Sequence, residues 1–208
     1  MLDPYVRPLI DPALNRLGAS LAQKGVTPNA MTLTGFGFGL CAIVMVSQDA
    51  LLWAAVFLAL NRICDGLDGA VARHAGLSDF GGFLDIVCDF IVYAGVVFAF
   101  GLRHHAHLFY ASFLVFSFIG PMVSFLAYAI IAAKRDVTTQ KRGKKSFYYL
   151  GGLCEGTETT FFLMFFCFFP AYFNAMCVVF GVMCWLTTVG RIYTAWAHFG
   201  RSENPLKG

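Results

Sequence analysis

Six apolar stretches, each close to the length that crosses a bilayer, decide what this chain can become. A spanning helix needs about 20 apolar residues. Stretches of that order lie near residues 29–48, 51–73, 79–102, 107–133, 156–173 and 174–198. Lipid offers no hydrogen bonds to bare backbone, so such segments fold as helices. Composition agrees: 13% of the 208 residues are charged and 23 are phenylalanine, against about 25% charged in a soluble domain. The expectation is an all-α integral membrane protein, a single domain over residues 1–208 with six transmembrane helices.

Ahead of the first stretch, Ile10, Leu14, Leu17 and Leu21 recur at helical spacing. With Asp11 as N-cap and Pro12 as first helical residue, residues 1–25 read as an N-terminal interfacial amphipathic helix. Its stripe suits either the headgroup layer or the side of the bundle. No basic start followed by an apolar run is present, so no cleavable signal peptide is expected. The seven cysteines form no CxxC pair and read as small buried apolar residues rather than a disulfide or zinc framework. Gly120-Pro121 should kink the fourth span, and Pro170 should end or bend the fifth.

Basic residues orient the chain. An even number of spans puts both termini on one side, together with Arg7, Arg16, Lys24, Arg73, Lys134, Arg135, Lys141, Arg142, Lys144, Lys145, Arg201 and Lys207. Only Arg103 falls on the other. The positive-inside rule then places the termini, the basic loop and the hairpin near residues 74–78 in the cytoplasm.

Charged side chains inside spans are costly and usually functional. Asp65 and Asp68 share a face of the second span at i, i+3, and Asp85 and Asp89 share a face of the third at i, i+4. Folding the hairpin about residue 77 brings the two pairs to matched depths, on the order of 12–18 Å from its tip. Four converging carboxylates repel one another unless cations join them. Oxygen-only ligation suits a hard ion, Mg²⁺ or Mn²⁺, with a pair of ions preferred. Metal beside lipid headgroups suggests a phosphate substrate. Arg62 and Arg73 are too few to neutralise the cluster by pairing. Gly69, Ala70, Ala72, Gly81 and Gly82 allow close backbone approach.

The run Asp65-Gly66-Leu67-Asp68-Gly69-Ala70-Val71-Ala72-Arg73, seven residues, then Gly81 through Asp85 to Asp89 resembles the signature of the CDP-alcohol phosphotransferases. That signature reads D-x2-D-G-x2-A-R, seven or eight residues, G-x3-D-x3-D, and all eight defining positions are present. Gly25-Val26-Thr27-Pro28-Asn29, leading through Met31 and Thr32, is similar to the family's approach to its first span. The detailed likeness covers about residues 25–90. It implies transfer of a substituted phosphate group from a CDP-linked lipid donor, CDP-diacylglycerol by expectation, to a small alcohol acceptor, with release of CMP, in phospholipid biosynthesis. It also implies that Asp65, Asp68 and Asp85 are metal ligands and that Asp89 contributes to metal binding and acts as general base. Asp65, Gly69, Ala72, Arg73, Pro28, Asn29 and Thr32 are similar to the nucleotide-binding wall. A homodimer in a bacterial inner membrane is the family expectation, with no nucleic-acid partner, and the chain resembles a little-characterised bacterial branch. Glycerol 3-phosphate, inositol phosphate and serine all remain open as acceptors.

Further residues bear on the acceptor. Arg191, late in the sixth span, needs an anion or carbonyl partner and could hold an acceptor phosphate. Lys134 and Arg135 open the basic loop and could attract anionic groups, although topogenic charge explains them as well. Glu155 and Glu158 could line the acceptor pocket or complement the dipole of the fifth span. His104, His105 and His107 read as a wet loop on the far side. The rival from another class is a divalent-cation transporter with the aspartates as its filter; a silent scaffold is a third reading, against which the intact motif speaks.

Overall fold

A computed structural model describes residues 3–135 and 152–200. The described residues contain helices and no strand: α1 (Asp3–Gln23), α2 (Pro28–Ser47), α3 (Leu51–Ala75), α4 (Asp79–Arg103), α5 (His105–Lys134), α6 (Gly156–Phe168) and α7 (Phe173–Phe199), with a 3-10 turn at Pro170–Tyr172. Local chemistry sets the boundaries. Thr27 caps α2, its Oγ1 accepting from the Ala30 amide at 3.3 Å. Pro28 follows at the first position, where a missing N–H costs nothing. Ser78 caps α4 through the Gly81 amide at 3.0 Å. Between α3 and α4, Gly76 stands at φ 108°, a conformation that favours glycine, and folds the chain into the hairpin.

Among the described residues, four segments are long and apolar enough to cross a membrane: α2, α4, α5 and Pro170–Phe199. Helix α3 has 25 residues and is set apart by Arg62, Asp65, Asp68 and Arg73, not by its length. The expected fifth span, 156–173, is a 13-residue helix followed by the 3-10 turn. Thirteen residues rise about 20 Å, short of a bilayer core of about 30 Å. Pro170 has no N–H to continue the ladder, so the helix stops before it. Helix α5, by contrast, runs unbroken through Pro121.

Helix α1 departs from its expected start. It begins at Asp3 and contains Pro8 and Pro12, so Asp11 is not its N-cap and Pro12 not its first residue. Proline's fixed φ is helical, and prolines one turn apart put their missing donors on one face. The apolar residues of α1 divide between a packed face and an exposed one. Leu14 and Gly18 pack on α3: a Cβ at Gly18 would stand 2.6 Å from Ala70 Cβ, and one at Gly66 2.8 Å from Leu14 Cδ1. Leu9, Ile10 and Leu17 stay exposed.

Helix α2 lies against α3 and α4, α4 against α5, α5 against α7, and α6 against α3. Phenylalanines fill the centre, with Phe162 stacked on Phe180 at 4.3 Å and Phe100 on Phe173 at 4.9 Å. The outer surface is apolar as well: Leu52, Trp53, Phe109, Ile130 and Val189 are exposed. Helices apolar all round belong in lipid. At the end away from the α3–α4 hairpin, Arg103 pairs with Asp49. Six cysteines are buried and Cys41 is exposed; none forms a disulfide. Lys141, Arg142, Lys144, Lys145, Arg201 and Lys207 lie outside the described residues, and so do both ends of the expected 1–208 domain.

Candidate active site

The α3–α4 hairpin brings three of the four aspartates together. Asp65, Asp68 and Asp85 each offer a carboxylate oxygen, and these oxygens lie within 4.8 Å of one another. Asp68 is the most enclosed, at 6% exposure. Its Oδ2 accepts from Thr32 Oγ1 of α2 at 2.8 Å. About two turns before Asp68, Asn61 Nδ2 donates to the Gly35 carbonyl at 2.8 Å, tying α3 to α2 beneath the site. The two helices sit close because Gly35 has no side chain; a Cβ there would come 2.8 Å from Cys64 Cβ.

Asp89 stands outside that trio. Its Oδ1 accepts from Arg62 Nη2 at 2.5 Å and its Oδ2 from Arg62 Nη1 at 3.3 Å, a two-pronged pair. Tyr93, one turn on along α4, donates its hydroxyl to Asp89 Oδ2 at 2.9 Å and accepts from Arg62 Nη1 at 2.5 Å. Arg62 Nε is held by Asn61 Oδ1 at 2.8 Å, and Nη1 also lies 3.5 Å from Asp65 Oδ2. Arg62 is therefore enclosed by anionic and polar partners, and its guanidinium lies over the Tyr93 ring at 4.8 Å.

The residues expected on a nucleotide wall gather on the hairpin side of the trio. Beside Gly69 there is room, since a Cβ there would meet only Arg73 Nη1 at 3.7 Å. Asn29 reaches α4, its Oδ1 3.1 Å from where a Gly81 Cβ would be. Ala72 is half-buried. Arg73 is turned to α1 and donates through Nε and Nη2 to Asn15 Oδ1 at 2.9 and 2.6 Å. Thr32, expected beside the nucleotide, spends its hydroxyl on Asp68, and Pro28 accepts a second contact from it at 3.1 Å.

A cavity of about 160 Å³ opens next to this assembly, bounded by α4, α5, α6 and α7. Its wall includes Phe90, Tyr93, Pro121, Glu155, Thr159 and Arg191. Arg191 is buried, donates through Nη1 to the Pro121 carbonyl at 2.7 Å and lies over the Phe125 ring at 5.6 Å. Glu155 and Glu158 form a capping box at the start of α6: Glu155 caps the helix, and the Glu155 amide donates to Glu158 Oε2 at 3.2 Å. Their helix-terminal role is thus met, while Glu155 also reaches the cavity wall. Lys134 and Arg135 are not part of that wall. Arg135 instead stacks over Phe199 at 5.1 Å, at the joined ends of α5 and α7.

The profile of the CDP-alcohol phosphatidyltransferases matches residues 25–197. The chain belongs to that family. It is therefore a transferase of substituted phosphate groups acting in phospholipid synthesis, and a membrane protein. It is 44% identical over 197 residues to the inner membrane protein YnjF of Escherichia coli, covering 94% of this chain and 96% of that one. It is 39% identical over 98 residues to an archaetidylinositol phosphate synthase of Pyrococcus horikoshii, covering 47% of this chain and 52% of that one. Its fold is similar to the crystal structure of Mycobacterium tuberculosis phosphatidylinositol phosphate synthase with CDP-DAG bound, at a TM-score of 0.69 and 21% identity, covering 88% of this chain and 93% of that one.

In this transferase the trio of carboxylates fits a hard divalent cation. The donors are all oxygen, Thr32 fixes the orientation of one of them, and outer hydrogen bonds of this kind hold a ligand's aim. Sequence reasoning overlooked Tyr93 and Asn15 and undervalued Arg62. The signal for two of these was in the spacing. Tyr93 follows Asp89 by four residues and Arg62 precedes Asp65 by three, so each shares a helix face with a motif aspartate. Asn15 carries no such signal, because its partner lies on another helix.

Proposed function

We propose that this transferase moves a phosphatidyl group from CDP-diacylglycerol to a small alcohol held in the cavity beside Tyr93, releasing CMP. The observation that carries the reading is the adjacency of two sites: a trio of carboxylate oxygens within 4.8 Å, and a cavity whose wall includes Tyr93, which hydrogen-bonds Asp89. The diphosphate belongs at the first and the acceptor hydroxyl at the second. The similarity to inositol phosphate synthases and to a structure with CDP-DAG bound supports the donor class.

Asp65, Asp68 and Asp85 would hold Mg²⁺ or Mn²⁺, with a pair of ions if Asp89 joins the set. Bound there, the cation neutralises charge on the diphosphate and on the leaving CMP. The protein's own groups do the rest. Gly69, Ala72, Asn29 and Arg73 line the approach of the nucleotide. Arg191, buried in the cavity wall, suits an acceptor that carries phosphate, since a guanidinium matches phosphate oxygens in a two-pronged way. Glu155 forms part of the same wall; Glu158, Lys134 and Arg135 are assigned no contact with acceptor. Asp89 accepts the proton of the acceptor hydroxyl at a carboxylate oxygen. The freed oxygen forms a bond to the lipid-side phosphorus, and the bond from that phosphorus to the CMP oxygen breaks in line. A positioned base is worth about 10²–10⁴ in rate.

The excess of basic residues at the hairpin end supports a cytoplasmic active site and cytoplasmic termini in a bacterial inner membrane. The test is direct. Purified full-length protein with Mn²⁺, CDP-diacylglycerol and single alcohols, phosphorylated and not, is assayed for CMP. Release that depends on one acceptor is expected, and Asp89→Asn should lose it by about 10²-fold or more. Manganese uptake into liposomes without any CMP would replace the transferase reading with the transporter.

A further inference from the structure

We propose that Asn15 of α1 is a positioning residue that holds the guanidinium of Arg73 over Gly69, ready for the diphosphate of the CDP-linked donor. The proposal rests on the transferase reading, in which Arg73 lines the approach of the nucleotide. It adds a residue that lies ahead of the stretch matched by the family profile, residues 25–197.

Three observations converge. A single acceptor, Oδ1 of Asn15, takes hydrogen bonds from both Nε and Nη2 of Arg73, at 2.9 and 2.6 Å. The third nitrogen, Nη1, lies 3.7 Å from where a Gly69 Cβ would stand, with nothing else listed by that open position within 4 Å. Helix α1 is seated on α3 on either side of Asn15: Leu14 covers Gly66, and Gly18 closes on Ala70.

The geometry follows from helix direction. Side chains of a helix lean toward its N-terminus, so Arg73 reaches back over the turn that begins at Gly69. Gly69 directly follows Asp68 of the carboxylate trio, which puts the held guanidinium on the turn of α3 that adjoins the cation site. An exposed arginine has many rotamers, and ordering it when a ligand arrives costs entropy. Asn15 orders it beforehand, and preorganisation raises affinity without any new contact to the ligand. A neutral amide oxygen suits the task. It takes two donors and leaves the positive charge of Arg73 undiminished for phosphate, where a carboxylate would offset it.

The full-length protein, Asn15→Leu, Arg73→Gln and the variant carrying both are titrated with CDP in saturating Mn²⁺ by calorimetry and compared in CMP release. Asn15→Leu is close in size and removes the acceptor. Its CDP affinity falls about tenfold, and its KM for CDP-diacylglycerol rises by about the same factor. Its kcat stays parental, because a contact made equally in ground and transition states moves KM alone. Arg73→Gln weakens CDP binding at least as much, and Asn15→Leu adds nothing on top of it, since Asn15 acts through Arg73. A merely structural role for Asn15 would weaken binding whether or not Arg73 is present. Parental CDP affinity in Asn15→Leu, or losses that add in the double variant, overturns the proposal, and so does a parent that binds no CDP. If Asn15→Leu does not fold, Asn15→Ala, alone and with Arg73→Gln, is read by the same criteria. A parent that binds CDP but releases no CMP would sink the transferase reading instead, and the CDP titration would still judge Asn15.

Discussion

Thr32 shows how much of the site depends on a contact between two helices. Its hydroxyl, on α2, holds Oδ2 of Asp68, on α3, at 2.8 Å. A hydrogen bond to a charged group contributes about 1.5–3 kcal/mol, and loss of such an outer partner costs about 10–100-fold in metal affinity or activity. Thr32→Val keeps the shape and removes the donor. The Mn²⁺ concentration for half-maximal CMP release should rise about tenfold, with the fold intact by circular dichroism. An unchanged titration would mean that packing alone orients Asp68. Thr32 was legible in the sequence as a residue near the site, but its partner was not, because the contact joins residues 36 apart. Arg73 makes the same point from the other side: the motif names it, and only the fold turns it to Asn15.

Helix α1 is built onto the site through its contact with α3. Gly18 and Gly66 let the helices close until a Cβ at Gly18 would fall 2.6 Å from Ala70 Cβ and 2.8 Å from the Ala70 carbonyl carbon. Backbone cannot yield as a flexible side chain does. Overpacking of this kind costs about 1–3 kcal/mol, whereas alanine in an open helical position gains up to about 1 kcal/mol over glycine. Gly37 of α2 is such a position, with nothing within 4 Å of its Cβ. Gly18→Ala should therefore lower the thermal midpoint in detergent, while Gly37→Ala should hold or raise it, at about 2–4 °C per kcal/mol for a chain of this size. Equal shifts for the two would remove the claim that α1 is wedged on α3. The sequence made α1 legible as an amphipathic helix, but not its start. A proline at position 12 reads as a beginning, and here the helix carries two prolines on one face.

The whole molecule gathers four acidic groups on the α3–α4 hairpin of an apolar bundle, with Arg62 as their paired cation. Such a cluster is destabilising until a cation joins it, so metal should stabilise the fold itself. By mass action, a ligand at 100 times its Kd adds about 2.7 kcal/mol. Mn²⁺ should raise the thermal midpoint of the parent, chelator should reverse the rise, and Asp68→Asn should remove most of it. A midpoint indifferent to Mn²⁺ in the parent would count against the trio as a cation site. Differential scanning fluorimetry on the three samples reads this out.

The chain's linear order determined its helical, membrane-embedded character, because runs of apolar residues leave the backbone no other partner in lipid. It determined the family too, since eight motif positions at their proper intervals name a chemistry without any coordinates. Spacing within one helix was enough to pair Asp65 with Asp68 and Asp85 with Asp89. Which carboxylates lie together and which one pairs with Arg62 was decided only by tertiary packing. Those outcomes depend on the angle at which α3 meets α2 and α4, on where Arg62 and Tyr93 stand relative to Asp89, and on the cavity that four helices enclose. Periodicity describes each helix about its own axis, and says nothing about how one axis is turned toward the next.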